Sequence, residues 1–227
     1  MRKPLLLSLC AVGGAALGLG TKLRRRRATP GDVAMRRFTT WFVAPVWIAA
    51  GALDYWWHRR TRIETTAGLK ESLMHSLMMM EAGPAVLAGI FLEVNAGVLV
   101  LMLVLSAMHE ATAIWDVTST APQRLISPAE QHTHTFLEMI PFCVSAAAIC
   151  THWEQFQALV GSGPEKARFE IRPQHPSVPL SHVVALFAGM GLFGGLPHAE
   201  ELWRCFRARK KGLLGLDTPE CARELFG

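Results

Sequence analysis

Apolar residues along the chain fall into long blocks, separated by short polar or Gly/Pro-containing breaks. Several blocks approach the ~20 residues that an α-helix needs to cross a bilayer. The first runs from Pro4 to Gly20, after a basic start and before the run Arg24–Arg27. No small-residue cleavage site precedes the arginines, so residues 1–38 read as an uncleaved, signal-like anchor and a short basic linker. Spans are then expected at Thr39–Trp57, at Pro84–Met108, at Phe136–His152 and at Leu180–Leu196. Glu64–Glu81 is shorter and more amphipathic, and is expected to cross, to tilt or to lie in the interface. The Thr65–Thr66 pair is a candidate cap for it, and Gly83–Pro84 a break after it. Residues 109–135 read as a polar connection, 161–179 as a Gly/Pro-rich loop and 207–227 as a basic, polar tail. The expected fold is all-α: an integral membrane bundle over 39–206, with about four to six membrane-associated helices.

Composition narrows the class. Of 227 residues, 51% are hydrophobic and 18% charged, against roughly a quarter charged in soluble domains. Mean hydropathy is +0.25. A disordered chain is excluded, and an ordinary soluble enzyme is disfavoured. The net charge of +5 is not a nucleic-acid signal, because most Lys and Arg flank apolar runs as interfacial anchors do. Membrane lipid is the expected partner. The five cysteines form no CxxC pair, so neither a disulfide framework nor a thiolate metal site is expected. P-loop, nucleophile-elbow and HExxH motifs are absent from the sequence.

The chemistry lies in the histidines and acids. Asp54 and His58 are four apart, as are Glu71 and His75, and Glu130, His134 and Glu138 take two such steps. Residues at that spacing share a helix face. His109 and Asp116 are seven apart, His132 precedes His134 by two, and His198 closes the last span beside Glu200 and Glu201. If Glu64–Glu81 and Pro84–Met108 both cross, all these groups reach one face of the membrane. Lys and Arg divide almost evenly between the two faces. The run Arg207–Lys211 after the last span tips the expectation towards a cytoplasmic cluster face, in a bacterial-type inner membrane.

Helix bundles build two-metal sites from such inward-facing carboxylates and imidazoles. Mixed N/O donors suit iron, manganese or zinc. The expected ligands are His58, His75, His109, His132, His134, Glu71, Glu130 and Glu138, with Asp54, Asp116 and His198 as further ligands or as groups orienting them. Glu93 and Asn95, deep in the strongest predicted span, form either an interhelical hydrogen-bond knot or a substrate or proton path. His152 and His182 fall on the opposite face; a haem between them is not expected. Arg124 is the one cation of the 109–135 connection, read as a solvated loop residue or as a partner for a cluster carboxylate.

The tract Asp54–Arg59, DYWWHR, resembles the first histidine motif of the membrane fatty acid hydroxylase superfamily. There an Asp, an aromatic–Trp pair and a His–Arg step close a membrane span. The resemblance implies a multi-span fold, a cytosolic histidine-rich face and a di-iron centre that activates oxygen against lipid or sterol carbon–hydrogen bonds. His58 would be an iron ligand by it. It covers about six residues; the chain continues RRTR and has no HH dipeptide, EQHTH at Glu130–His134 being the nearest substitute.

Three functions follow as expectations. The first is a membrane oxidoreductase with two transition-metal ions, iron foremost, acting on a lipid-like chain and drawing electrons from a partner protein. The second is an ion or proton transporter, and the third a non-catalytic scaffold or assembly factor.

Overall fold

The structure, a computed structural model, describes residues 29–174 and 178–217. The predicted anchor at residues 1–27 and the last part of the tail lie outside them. Helices account for the described architecture: α1 (Pro30–Phe38), α2 (Ala44–Thr61), α3 (Leu69–Phe91), α4 (Ala96–Thr120), α5 (Pro128–Thr151), α6 (Trp153–Leu159), α7 (Leu180–Met190) and α8 (Leu196–Lys210). No strand appears among the described residues, apart from an isolated bridge between Leu92 and Pro173. The fold is an all-α bundle.

Four helices are long and apolar enough to cross a membrane: α3, α4, α5 and the continuous rod formed by α7 and α8. These mark an integral membrane protein. α2 also runs the length of the bundle, beside α5, but carries Asp54, Arg59 and Arg60.

Several predicted boundaries move, each for a local reason. The expected linker before Thr39 is the helix α1. Its start is closed by a reciprocal cap: Asp32 N–H donates to Thr29 Oγ1, and Thr29 N–H to Asp32 Oδ2. α1 runs into α2 through a π turn at Thr39–Val43, with Pro45 next in line. Proline cannot donate to the helical ladder, and the chain absorbs the loss by widening. The last rod repeats this with a π turn at Gly191–Gly195 followed by Pro197.

The break expected at Gly83–Pro84 lies inside α3 instead. A membrane helix tolerates an interior proline when neighbouring groups cover the freed carbonyl. The chain turns at Leu92–Asn95. Asn95 caps α4, accepting from Val98 N–H at Oδ1 and donating to Glu170 O. Glu93 N–H donates to Arg172 O, and its carboxylate pairs with Arg168. Glu93 and Asn95 are therefore turn residues beneath the loop at 168–174, not residues deep in a span. α3 and α4 still run in opposite directions, so the start of α3 meets the end of α4, as His75 beside Asp116 shows, and the ends expected to share a face still do. α4 continues to Thr120 and α5 begins at Pro128, so the polar connection shrinks to residues 121–127.

Thr65 and Thr66 do not cap α3. Gly68 does, at φ +68°. A Cβ there would be strained and would overlap Leu214 of the tail. Thr65 instead donates to Asp217 at 2.7 Å, which also pairs with Arg62. The tail thus clamps the α2–α3 turn. The apolar core of Ala88, Val94, Val98, Leu99 and Met102 packs against Val144 and Phe156. That is the half of the bundle away from His58, His75 and His134.

Candidate metal centre

Five segments deliver side chains to one buried cluster. α2 supplies Asp54 and His58 from its last two turns, and α3 supplies Glu71 and His75 from its first two. Asp116 comes from the last turns of α4, Glu130 and His134 from the first turns of α5, and Glu201 from α8. All eight are buried. α8 is held by its outward neighbours: Glu200 accepts from Tyr55 Oη at 2.8 Å and from Arg59 at 3.1 Å, and Arg204 pairs with Glu64. Consecutive helix positions differ by about 100°, so Glu200 faces water while Glu201 faces in.

Glu201 joins the two central imidazoles. Its carboxylate accepts from His58 Nδ1 at 2.9 Å and faces His75 Nδ1 at 3.3 Å. The two rings stack with centroids 4.6 Å apart and planes 2° from parallel. His75 Nε2 lies 3.1 Å from Asp116 Oδ2, and Asp116 Oδ1 accepts from Thr120 at 3.3 Å. With Nδ1 committed to Glu201, neutral His58 presents a lone pair at Nε2. A carboxylate that fixes a ligand ring in this way is the usual support of a metal-bound histidine.

Around His58 Nε2 the polar atoms crowd without bonding. Asp54 Oδ1 is 3.5 Å from it and 3.0 Å from His134 Nε2. None of the three atoms is aligned as a hydrogen bond, and all three are buried. Buried polar atoms without partners cost roughly 1–3 kcal/mol each. Three of them facing one another fit a cation between them better than they fit each other.

Three overlapping donor sets have atoms within 4.8 Å of one another: Asp54, His58 and His134; Asp54, His75 and His198; His58, Glu71 and His75. The first two share Asp54 alone and take in four histidines. His198 is half-buried; its Nδ1 donates to Gly194 O at 2.9 Å, leaving Nε2 free.

Arg124 is the cluster's permanent cation. It is 2% exposed. Nη2 and Nε donate to Glu71 at 2.6 and 3.1 Å, and Nη1 donates to Glu130 at 2.7 Å. Burial opposes its charge, but the carboxylates of Glu71 and Glu130 more than offset this and push its pKa above the ordinary arginine value. Glu130 Oε2 stays unpartnered. Glu71 and Glu130 share this guanidinium, while the buried carboxylates Asp54, Asp116 and Glu201 have only imidazoles as charged or chargeable partners among the described residues. With all five acids ionised and the imidazoles uncharged, as metal ligation requires, the cluster carries an excess of four negative charges. Such an excess is not stable in a low-dielectric interior, and two divalent cations would balance it.

The structure thus brings together Asp54, His58, Glu71, His75, Asp116, Glu130 and His134, with His198 at the edge. It does not bring in the rest. His132 is exposed, because two residues along a helix turn it away from His134. Glu138 is half-buried one turn beyond His134, and no metal-sized set includes it. His109 is buried but stands apart, donating from Nδ1 to Met78 O at 3.2 Å. Glu93 and Asn95 sit at the other end of α3 and α4.

Two participants fall outside the expected ligand set. Glu201 is an i,i+3 partner of His198 in the sequence, but the last span is expected there to stop at Leu196. Arg124 sits in a connection without periodicity, where nothing in the sequence separates a solvated guanidinium from a buried one.

Beside the cluster opens a cavity of about 360 Å³, within the range of small-molecule sites. Asp54, His75, Asp116, His134, Glu138 and His198 mark its polar end, while Met78, Met79, Ala113, Leu137, Phe187 and Met190 contribute to its apolar walls. Met79 and Phe187 are also exposed on the outer surface, where the bilayer would lie. The sequence matches no family model, no curated protein and no solved structure, so the residues alone carry the functional conclusion.

Proposed function

We propose that the chain is a membrane-embedded oxidoreductase that holds two divalent transition-metal ions and acts on a lipid-like chain. The observation that carries this is the convergence of Asp54 Oδ1, His58 Nε2 and His134 Nε2 around one point, all three buried and none in an aligned hydrogen bond, with Asp54 and His134 in close contact at 3.0 Å. One ion would be held by Asp54, His58 and His134. The other would be held by Asp54, His198 and His75, with Asp54 shared and with His75 Nε2 giving up its contact with Asp116 to take the ion. The excess of four buried negative charges supports two ions rather than one. Oxygen and nitrogen donors without thiolate favour iron, with manganese or zinc as the other candidates. A redox-active pair there would supply oxygen activation against a carbon–hydrogen bond.

The chain's own residues do the rest. Glu201 fixes the rings of His58 and His75. Arg124 pairs with Glu71 and Glu130 and fixes their carboxylates beside His58. The methionine and phenylalanine walls keep water out and accept a hydrocarbon chain from the bilayer. An ion pathway would need polar walls through the membrane depth, which this cavity lacks. Electrons would come from a partner protein, because the one GxGxxG pattern, Gly189–Gly194, lies within an apolar spanning helix and not at the strand-to-helix turn a dinucleotide needs. The DYWWHR resemblance is in line with this reading, since it implies His58 as an iron ligand.

The test is elemental analysis of protein purified after growth with iron, manganese and zinc. About two bound transition-metal ions per chain are expected, falling to about one or fewer in Asp54→Asn. Less than one ion per chain in the unsubstituted protein rejects the proposal.

A further inference from the structure

The cavity is walled by α2, α3, α4, α5 and the α7–α8 rod. Round this ring α3 packs on α4, α4 on α5, α5 on α2, and α2 on the π turn of the rod. α8 closes on α3 at the level of the cluster, where His75 Nδ1 faces Glu201 at 3.3 Å. Further down, Phe91 stacks on Phe187 with ring centroids 6.4 Å apart. Between those two levels no comparable packing joins α3 to α7 or to the π turn among the described residues. Met79 and Gly83 lie four and eight residues beyond His75, about 6 and 12 Å along α3, and Gly191 lies seven before His198, about 10 Å along the rod. All three line the cavity. By steps of three and four residues, Gly83 shares its helix face with Met79 and His75, and Gly191 shares its own with Gly194 and His198. A Cβ on Gly83 or Gly191, or on Gly51 and Gly194 one turn from the cluster, would meet no neighbouring element within 4 Å.

From this we infer that a lipid chain enters the cavity sideways from the bilayer, through the window between α3 and α7, and that its methyl end, not its headgroup end, reaches the cluster. The inference deepens the proposed function by naming the part of the lipid that is presented, and it rests on the cavity being the substrate chamber. Arg59 and Arg60 follow the cluster on α2 and mark the interfacial level. A hydrocarbon core of about 30 Å puts chain ends about 15 Å below that level, at the depth of the window's lower part. The window's upper edge is closed by α8, so a headgroup cannot travel at cluster height beside its chain. An anionic headgroup finds no counter-charge inside either. The cluster is acidic, and its one guanidinium is already taken by Glu71 and Glu130. The glycines, at matching depths on α3 and the rod, leave the bore through which a chain climbs from the window to the metals.

The test uses the full chain in phosphatidylcholine nanodiscs that carry a trace of photoreactive phosphatidylcholine. Its diazirine sits either at the chain's methyl end or beside the ester, and crosslinks are mapped by mass spectrometry. The methyl-end lipid should label Gly51, Asp54, Gly194 and His198; the ester-side lipid should not. Each methylene kept out of an apolar site costs about fourfold in occupancy. Gly83→Leu combined with Gly191→Leu should therefore cut this inner labelling about tenfold or more, with bound metal unchanged. Gly89→Leu, on α3 at an equally open position outside the cavity lining, should leave it as it was. Absence of inner labelling, equal inner labelling by the two lipids, or labelling that survives the paired glycine substitution overturns the inference. Metal content of the unsubstituted protein is read in parallel. Inner labelling of a protein with less than one ion per chain sinks the oxidoreductase and leaves the chamber standing; a metal-loaded protein without inner labelling removes this inference alone.

Discussion

Replacing Arg124 by methionine isolates the electrostatics of the cluster. Methionine keeps much of the side-chain volume and removes the charge. Glu71 loses its bonds at 2.6 and 3.1 Å, and Glu130 its bond at 2.7 Å. Both acids are at most 1% exposed, so water cannot replace the guanidinium. Removing one partner of a buried ion pair costs about 3–5 kcal/mol, most of it from the charge left behind. The assay is equilibrium unfolding in mixed micelles, with Arg124→Met compared against Arg124→Lys. Lysine keeps the charge but not the two-pronged geometry, so it should recover only part of the loss. Adding Glu71→Gln and Glu130→Gln to Arg124→Met should restore most of the stability, because the stranded charges are gone. A loss below about 1 kcal/mol in Arg124→Met would refute the reasoning, as would strict additivity of the three substitutions.

Other outcomes follow from the same geometry. Glu201→Gln weakens the support of His58 and His75, and metal affinity should fall about 10–100-fold with the fold intact by circular dichroism; unchanged affinity would remove Glu201 from the site. Gly68→Ala places a side chain at φ +68° against Leu214 and should lower stability by more than about 1 kcal/mol, read by the same unfolding assay; an unchanged midpoint would show that the α2–α3 turn is not held as described. His132→Ala, at an exposed position on α5, should change metal content by less than a tenth of an ion per chain, measured by elemental analysis. A larger fall would return His132 to the ligand set.

The acid–imidazole pairs are legible in the sequence because helical spacing is a local property. Asp54/His58, Glu71/His75 and Glu130/His134 each need only a turn of helix to share a face, and the number of crossings then gathers them at one end. Boundaries are less legible, because proline carries two meanings. Pro84 reads as a break and is an interior helix residue, while the real turn at Leu92–Asn95 is made by an asparagine cap and by contacts to residues 168–174. Those contacts lie some 75 positions away in the chain, beyond the reach of any local pattern. Arg124 and Glu201 are obscured for the same reason. Their burial is set by partners on other helices, and neither composition nor periodicity records it. His109 shows the opposite failure: it does share a helix with Asp116, yet seven residues carry it about 10 Å further into the bundle, out of reach of the other donors.

The central claim is that Asp54, His58 and His134, with His75 and His198 beside them, hold two metal ions. Anomalous X-ray scattering from crystals of the purified protein, recorded on either side of the iron, manganese and zinc edges, addresses it most directly. Two peaks are expected inside the cluster, about 3.5–4 Å apart and roughly 2 Å from imidazole nitrogen and carboxylate oxygen. A map without a peak there, or with metal held only at the exposed His132 or the tail, would contradict it.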